Sequence, residues 1–408
     1  MAIILIIFTL IFATAICAFF FLKSKNASNN NTKSTQEEII DPKLEKQKQR
    51  EEREKEKQRQ KELKDAQKQK EREEKRNKNV KSIPRPMESA EHSIYIGSTC
   101  PTCVSFSEDG KYFLVTCTNR KNLLFDIQSL TTDKKPLHQI NFVDDTISTC
   151  DLINSGSKLE AVCGLDRNRS IQSYYIDVST GKTTPGSFNV PGANKLVINQ
   201  LRVSKDHSYV VTFGDDTYLS AFLPNGRSII RNDTHQMHNY ELSVSSDSQF
   251  FAVSSYTSEI IALGMNLGKD GLPSKATKAF TISGHSNSIV SIDFHQNQRL
   301  LATGSLDGHF NIVATPALWK EGDDQTKILK SYETKDLEPV KFVRLNPVDD
   351  TIAVLTQSEK LFFYKDGKVT KVVEQPQSSK VDNMYWSPDG SRIVVLSSNS
   401  NYLYIFSK

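Results

Sequence analysis

The chain has 408 residues, room for two ordinary domains or one large all-β domain. Its net charge of +4 is uneven: residues 41–81 hold 17 Lys and Arg against 11 Asp and Glu, and everything from residue 82 on is slightly acidic. A globular part of that sign is a poor match for sequence-independent nucleic-acid binding, which needs many cationic phosphate contacts. Six cysteines, at 17, 100, 103, 117, 150 and 163, make no disulfide framework and suit a reducing compartment.

Residues 1–22 carry no charged side chain and are followed at once by Lys23 and Lys25. About 20 apolar residues cross a bilayer as a helix, so this stretch reads as a transmembrane anchor. A cleaved signal peptide is the rival, with Ala13-Thr14-Ala15 as a small-residue cleavage site. Against it, no Lys or Arg precedes the apolar run, which continues through Phe19 to Leu22. The basic excess behind the segment predicts, by the positive-inside rule, that the long C-terminal part is cytoplasmic.

Residues 23–40, rich in Asn, Ser, Thr and Lys, read as a flexible linker. Asp41-Pro42 has the form of an N-cap followed by proline at the first helical position. The segment 41–81 that follows is almost wholly Lys, Arg, Glu and Gln, with pairs such as Glu51–Lys55 in the favourable order. It lacks an a/d apolar seam, so the reading is a charged spacer, a solvated single helix or disordered.

From residue 89 to 408 short runs of Val, Ile, Tyr, Phe and Thr alternate with Asp, Gly, Asn and Ser. Val104-Ser-Phe-Ser-Glu-Asp-Gly-Lys-Tyr-Phe-Leu-Val-Thr-Cys117 matches Met384-Tyr-Trp-Ser-Pro-Asp-Gly-Ser-Arg-Ile-Val-Val-Leu-Ser397. Five looser copies lie between them, with turns near residues 156, 207, 248, 298 and 350. Seven copies at a period in the forties, each two strands around a turn, predict a seven-bladed β-propeller. The last copy ends after its third strand, and His92-Ser-Ile-Tyr-Ile-Gly97 is a spare strand placed to complete it and remove an open edge.

One copy is close to a WD repeat: Gly284-His285, then Leu300 to Gly308, with Phe310-Asn-Ile-Val313 where a Trp normally sits. Phe125-Asp126 echoes the terminal Trp-Asp. The order of parts, with Asn225 to Ile230, His235 to Asn239, Ala279 to Phe294 and Leu300 to Gly308, resembles the transducin beta-like WD-repeat family of the endoplasmic reticulum membrane. That resemblance implies a WD40-like propeller in which His285, Ser305 and Asp307 form a structural hydrogen-bond network. It also implies a single-pass scaffold at that membrane, with protein partners in stress signalling or translation.

Residues for chemistry are scarce. Cys100-Pro-Thr-Cys103 has redox spacing, but it runs into a predicted strand instead of opening a helix, and no second ligand pair sits at zinc spacing. Asp215-Asp216 and Asp349-Asp350 fall at expected turns. No phosphate loop, nucleophile elbow or zinc-protease motif occurs. The expectation is therefore no enzyme, no catalytic residue, no cofactor and no metal. Two alternatives stand: a propeller enzyme or small-ligand binder with a channel site, and an RNA-associated factor using the basic spacer. The sequons at Asn168 and Asn232 matter only if this part is luminal.

Overall fold

Among the described residues, alternation of buried and exposed positions in the short β-branched runs produces 28 strands in seven antiparallel four-stranded sheets. The structure, a computed structural model, describes residues 90–132, 135–142, 145–317, 326–374 and 380–408. The expected anchor (1–22), linker (23–40) and spacer (41–81) lie outside the described residues. Among the described residues no helix is long and apolar enough to cross a membrane.

In chain order from the channel outwards, blade 1 is Pro101–Phe106, Tyr112–Cys117, Asn122–Asp126 and His138–Ile140. Blade 2 is Ile147–Ser155, Lys158–Leu165, Ile171–Ile176 and Thr183–Val190. Blade 3 is Ile198–Val203, Val210–Gly214, Tyr218–Phe222 and Ser228–Asp233. Blade 4 is Asn239–Val244, Phe250–Ser255, Ile260–Leu267 and Pro273–Ile282. Blade 5 is Ile289–Phe294, Leu300–Ser305, His309–Ala314 and Lys327–Glu333. Blade 6 is Val340–Leu345, Ile352–Thr356, Lys360–Lys365 and Lys368–Glu374. Blade 7 takes Asn383–Trp386, Arg392–Leu396 and Tyr402–Ser407 from the C-terminus, and its outer strand, His92–Tyr95, from before blade 1.

That last pairing runs antiparallel with His92 opposite Ile405 and Tyr95 opposite Tyr402. The ring is thus closed by its own two ends, and the seven sheets take in every strand among the described residues. Ile94, Leu403 and Ile405 of blade 7 share one apolar cluster with Val104, Phe113 and Phe125 of blade 1. Each such side chain contributes roughly 1.5–3 kcal/mol of burial, so the seam is held by packing as well as by the ladder.

The repeated Ser-x-Asp-Gly turns have one mechanism. Ser107 Oγ accepts the Tyr112 amide at 2.9 Å and donates to Asp109 at 2.7 Å; Ser387, Asp389 and Arg392 repeat this in blade 7. The fourth turn residue is left-handed, with φ +69° at Gly110 and +63° at Gly390, where glycine has no Cβ to strain. His207 and Ser248 take the same conformation in blades 3 and 4.

Outer strands are guarded against pairing with other chains. Exposed lysines punctuate them at Lys275, Lys278, Lys327, Lys330 and Lys368, Pro185 interrupts blade 2, and blade 1 has only three residues there.

Candidate functional site: the central channel

Each inner strand places alternate residues toward the axis. One tier is Ser105, Asp151, Arg202, Ser243, Asp293, Arg344 and Tyr385, one residue per blade, all lining a cavity of about 250 Å3. The cavity opens at the end where inner strands turn back, beside Glu108, Lys205 and Pro388. A second tier, two residues earlier, includes Cys103, Thr149, Gln200, Glu241, Ser291 and Asn383.

An inner strand has no neighbour on its channel side, so its outward amides need acceptors. The tiers supply them, blade to blade. Ser105 Oγ accepts the Leu152 amide at 2.9 Å, and Asp151 Oδ2 the Val203 amide at 2.9 Å. Ser243 Oγ accepts that of Phe294 at 2.9 Å, and Asp293 Oδ2 that of Leu345 at 2.8 Å. In the other tier Gln200 Oε1 takes Leu242 at 2.7 Å, Glu241 Oε2 takes Ile292 at 3.1 Å, and Ser291 Oγ takes Val343 at 3.0 Å.

The buried charge is centred on Arg344. Its guanidinium pairs with Glu241 through both terminal nitrogens and also donates to Asn383 Oδ1 at 2.7 Å and the Met384 and Val343 carbonyls at 3.0 and 2.8 Å. Burial works against its charge, but Glu241 and Asp293 overcome this and hold it protonated. Burial pushes the Asp293 carboxyl up to about 6, with Arg344 pulling the other way. The Tyr385 hydroxyl and the Cys103 thiol are raised by burial, which makes both poor nucleophiles at neutral pH.

His285, Ser305 and Asp307 meet at the opposite edge of blade 5. His285 Nδ1 donates to Asp307 Oδ2 at 3.2 Å, and Nε2 accepts from Thr303 Oγ1 at 2.9 Å and Asn311 Nδ2 at 3.1 Å. Those partners fix a neutral ring with the proton on Nδ1, and burial lowers its pKa in the same sense. Asp307 also accepts the Ser286 and His309 amides at 2.8 and 2.9 Å. Ser305 Oγ does not touch the imidazole; it donates to the Asn287 carbonyl at 3.1 Å and accepts the Asp307 amide at 3.1 Å. Thr303 and Asn311 were not singled out from sequence.

Also missed was a twin of this corner in blade 3. Asn194 Oδ1 accepts from Thr212 Oγ1 at 3.1 Å, while Nδ2 reaches Asp216 Oδ1 at 3.3 Å and the Lys195 amide reaches Asp216 Oδ2 at 2.8 Å. The signal was present: Asn194–Thr212–Asp216 has the same spacing as His285–Thr303–Asp307. Cys103 lies in the first inner strand and Cys100 just before it, both buried, and no metal-ligating cluster forms among the described residues.

A further feature lies on the ring's surface at blades 3 and 4. Met237 is 96% exposed, Tyr256 60% and Ile261 54%, beside a groove of about 620 Å3 lined by Asn232 to Gln236 and Thr257 to Ile261.

The family model described as WD domain, G-beta repeat matches residues 276–312, the blade 4–5 junction that holds His285. The chain is a seven-bladed propeller carrying a WD repeat. Two curated relatives are similar to it, transducin beta-like protein 2 of Homo sapiens and of Mus musculus. Each is 23% identical over 229 residues, 55% of this chain and 50% or 51% of the relative. The chain spans about half the length of the curated relatives it matches.

Proposed function

We propose that the chain is a scaffold that binds protein partners through the outer surfaces of its ring. It is held at the endoplasmic reticulum membrane by residues 1–22, with the propeller in the cytoplasm. The observation that carries the binding role is the exposure of three large apolar side chains, Met237, Tyr256 and Ile261. They lie on or next in sequence to the segments that line one groove with polar residues in its walls, and exposed apolar surface rimmed by polar groups marks interaction sites. The channel carboxylates and serine hydroxyls are engaged with the ring's own amides, which supports binding over turnover. The anchor rests on the uncharged length of residues 1–22 and the basic flank behind them. The organelle and a role in stress signalling or translation rest on the resemblance alone.

Proximity labelling from the C-terminus, followed by pull-down with wild-type and Met237→Asp/Tyr256→Ala propellers, tests the scaffold. Partners captured by wild type and lost by the double variant are expected. A substrate-dependent activity abolished by changing Asp151 or Asp293 without unfolding would overturn it. Protease treatment of intact microsomes tests the orientation: a protected fragment of nearly full length, or sugar on Asn168 or Asn232, would reverse it.

A further inference from the structure

Arg202 and Arg344 occupy the same channel position in blades 3 and 6, yet their surroundings differ sharply. Arg344 is consumed by Glu241, Asn383 and two carbonyls. Among the described residues Arg202 makes a single hydrogen bond, from Nη1 to the carbonyl of its own neighbour Leu201 at 2.9 Å. Among the described residues no carboxylate oxygen stands within 4.0 Å of its guanidinium. Its other four N–H donors have no protein acceptor among the described residues, although the nearby Asp151 carboxylate helps to hold its charge.

The carboxylates nearby are engaged elsewhere. Asp151 accepts from Ser105 Oγ and the Val203 amide, Asp293 from the Leu345 amide, and Glu241 from Arg344, Ser291 and the Ile292 amide. Tyr385 lines the same cavity, and among the described residues its hydroxyl meets only Cys103 Sγ, at 3.9 Å, a weak partner. Two strong donors thus converge on one space with little to bind.

We propose that this cavity is an oxyanion site, in which the Arg202 fork and the Tyr385 hydroxyl hold a carboxylate or phosphate group entering from the hairpin end of the channel. A guanidinium presents parallel donors matched to such an oxyanion, and low dielectric strengthens the pair. About 250 Å3 is less than a drug-sized ligand needs, so only a terminal group enters: an acidic side chain, a chain-terminal carboxylate or a phosphate monoester. Lys205, half-exposed at the mouth and bridged to Glu108 at 3.1 Å, adds positive potential on the way in. This site is independent of the blade 3–4 patch and stands or falls apart from it.

The groups facing the bound anion are Arg202, Arg344, Tyr385 and Cys103, with Asp151, Asp293 and Glu241 opposing it; Glu108, Lys205 and His207 ring the mouth. Asp293, with its carboxyl near 6, loses its charge as pH falls through that value. Affinity for an anion of unchanging charge rises accordingly from pH 7.5 to 5.5.

The test is calorimetric titration of the full chain in mild detergent with inorganic phosphate and, separately, acetate. Saturable binding of at least one probe is expected, and acetate, which stays largely ionised over the range, binds tighter at pH 5.5 than at 7.5. Arg202→Met weakens it at least tenfold, and Arg202→Lys, which keeps the charge and loses the fork, several-fold. Tyr385→Phe has a smaller effect. Phosphate alone binding assigns a phosphate monoester, and acetate alone a carboxylate. Without probe, Arg202→Met melts at or above wild type while Arg344→Met melts far below it. Failure of both probes to saturate wild type, unchanged affinity in Arg202→Met, or collapse of that variant's fold would each overturn the assignment.

Discussion

Blades 3 and 5 tie the same corner with different chemistry. In both, a polar side chain on the loop entering the blade bonds a Thr on the second strand and an Asp in the next turn, and that Asp takes backbone amides from either side. Blade 5 uses a neutral histidine at the pivot and blade 3 an asparagine, with sequence separations of 18 and 22 residues in each. What persists is the arrangement of one donor and one acceptor, which an imidazole with Nδ1–H and a carboxamide both supply. Blade 2 carries the idea further. Asp145 stands at the pivot position, and its oxygens accept the Arg167 and Asn168 amides at 3.0 Å each, with no side-chain relay. The tie inside the matched WD repeat of blade 5 therefore recurs in blade 3 with other residues supplying the same donor and acceptor.

The comparison breaks most severely at the shared aspartates. Asp307→Ala strands the His285 Nδ1–H and the Ser286 and His309 amides, and leaving several such donors unmet costs about 2–4 kcal/mol. Asp216→Ala strands the Asn194 amide and the Lys195 N–H, a loss of about 2–3 kcal/mol. Chemical denaturation of the two variants measures both. A blade 3 loss below about 0.5 kcal/mol, within the range of ordinary surface substitutions, would mean that only blade 5 is tied.

These corners show why the sequence was readable to the extent that it was. Inner and second strands were legible because one face is buried and the Ser-x-Asp-Gly turn between them recurs. The closing strand at His92–Tyr95 was legible from its missing partner at the C-terminus. Most outer strands were not: Lys327–Glu333 is exposed at every position except Tyr332, so it has no two-residue burial period to detect. The blade 3 corner was hidden because Asp215-Asp216 satisfies a turn reading by itself, and only the fold brings Asn194 and Thr212 to it. Arg202 and Arg344 look alike in sequence. Their difference depends on Glu241 and Asn383, 103 and 39 residues from Arg344, which no local pattern records.

The pivots give a finer contrast. His285→Ala removes the partner of Thr303, Asn311 and Asp307 and opens a small cavity, at about 2–3 kcal/mol. His285→Asn copies blade 3 and is expected to lose less than about 1 kcal/mol, because the carboxamide restores one donor and one acceptor. Equal losses in the two variants, by thermal and urea melts, would show that ring shape matters here and not hydrogen-bond polarity.

The smallest effect, and the sharpest, is on pH. Burial lowers the His285 pKa in the fold, against the opposing pull of Asp307, so the unfolded chain takes up this proton first. A base with a depressed folded pKa contributes stability that is complete above its unfolded value, about 6.5, and is lost as pH falls through the folded one. His295, lowered by its own burial, acts in the same direction, whereas Asp293, raised to about 6, contributes stability that grows as pH falls through 6. Both persist in His285→Asn and cancel when it is compared with wild type. The difference in melting temperature between the two proteins should therefore favour wild type at pH 8 and shrink steadily toward pH 5. Blade 3 has no titrating pivot, so the same comparison for Asn194→Ala should stay level across that range. A wild-type advantage over His285→Asn that held constant would mean that the fold does not shift this pKa, and one that widened in acid that the fold favours the charged ring; either would mean that the two corners differ in more than their pivot.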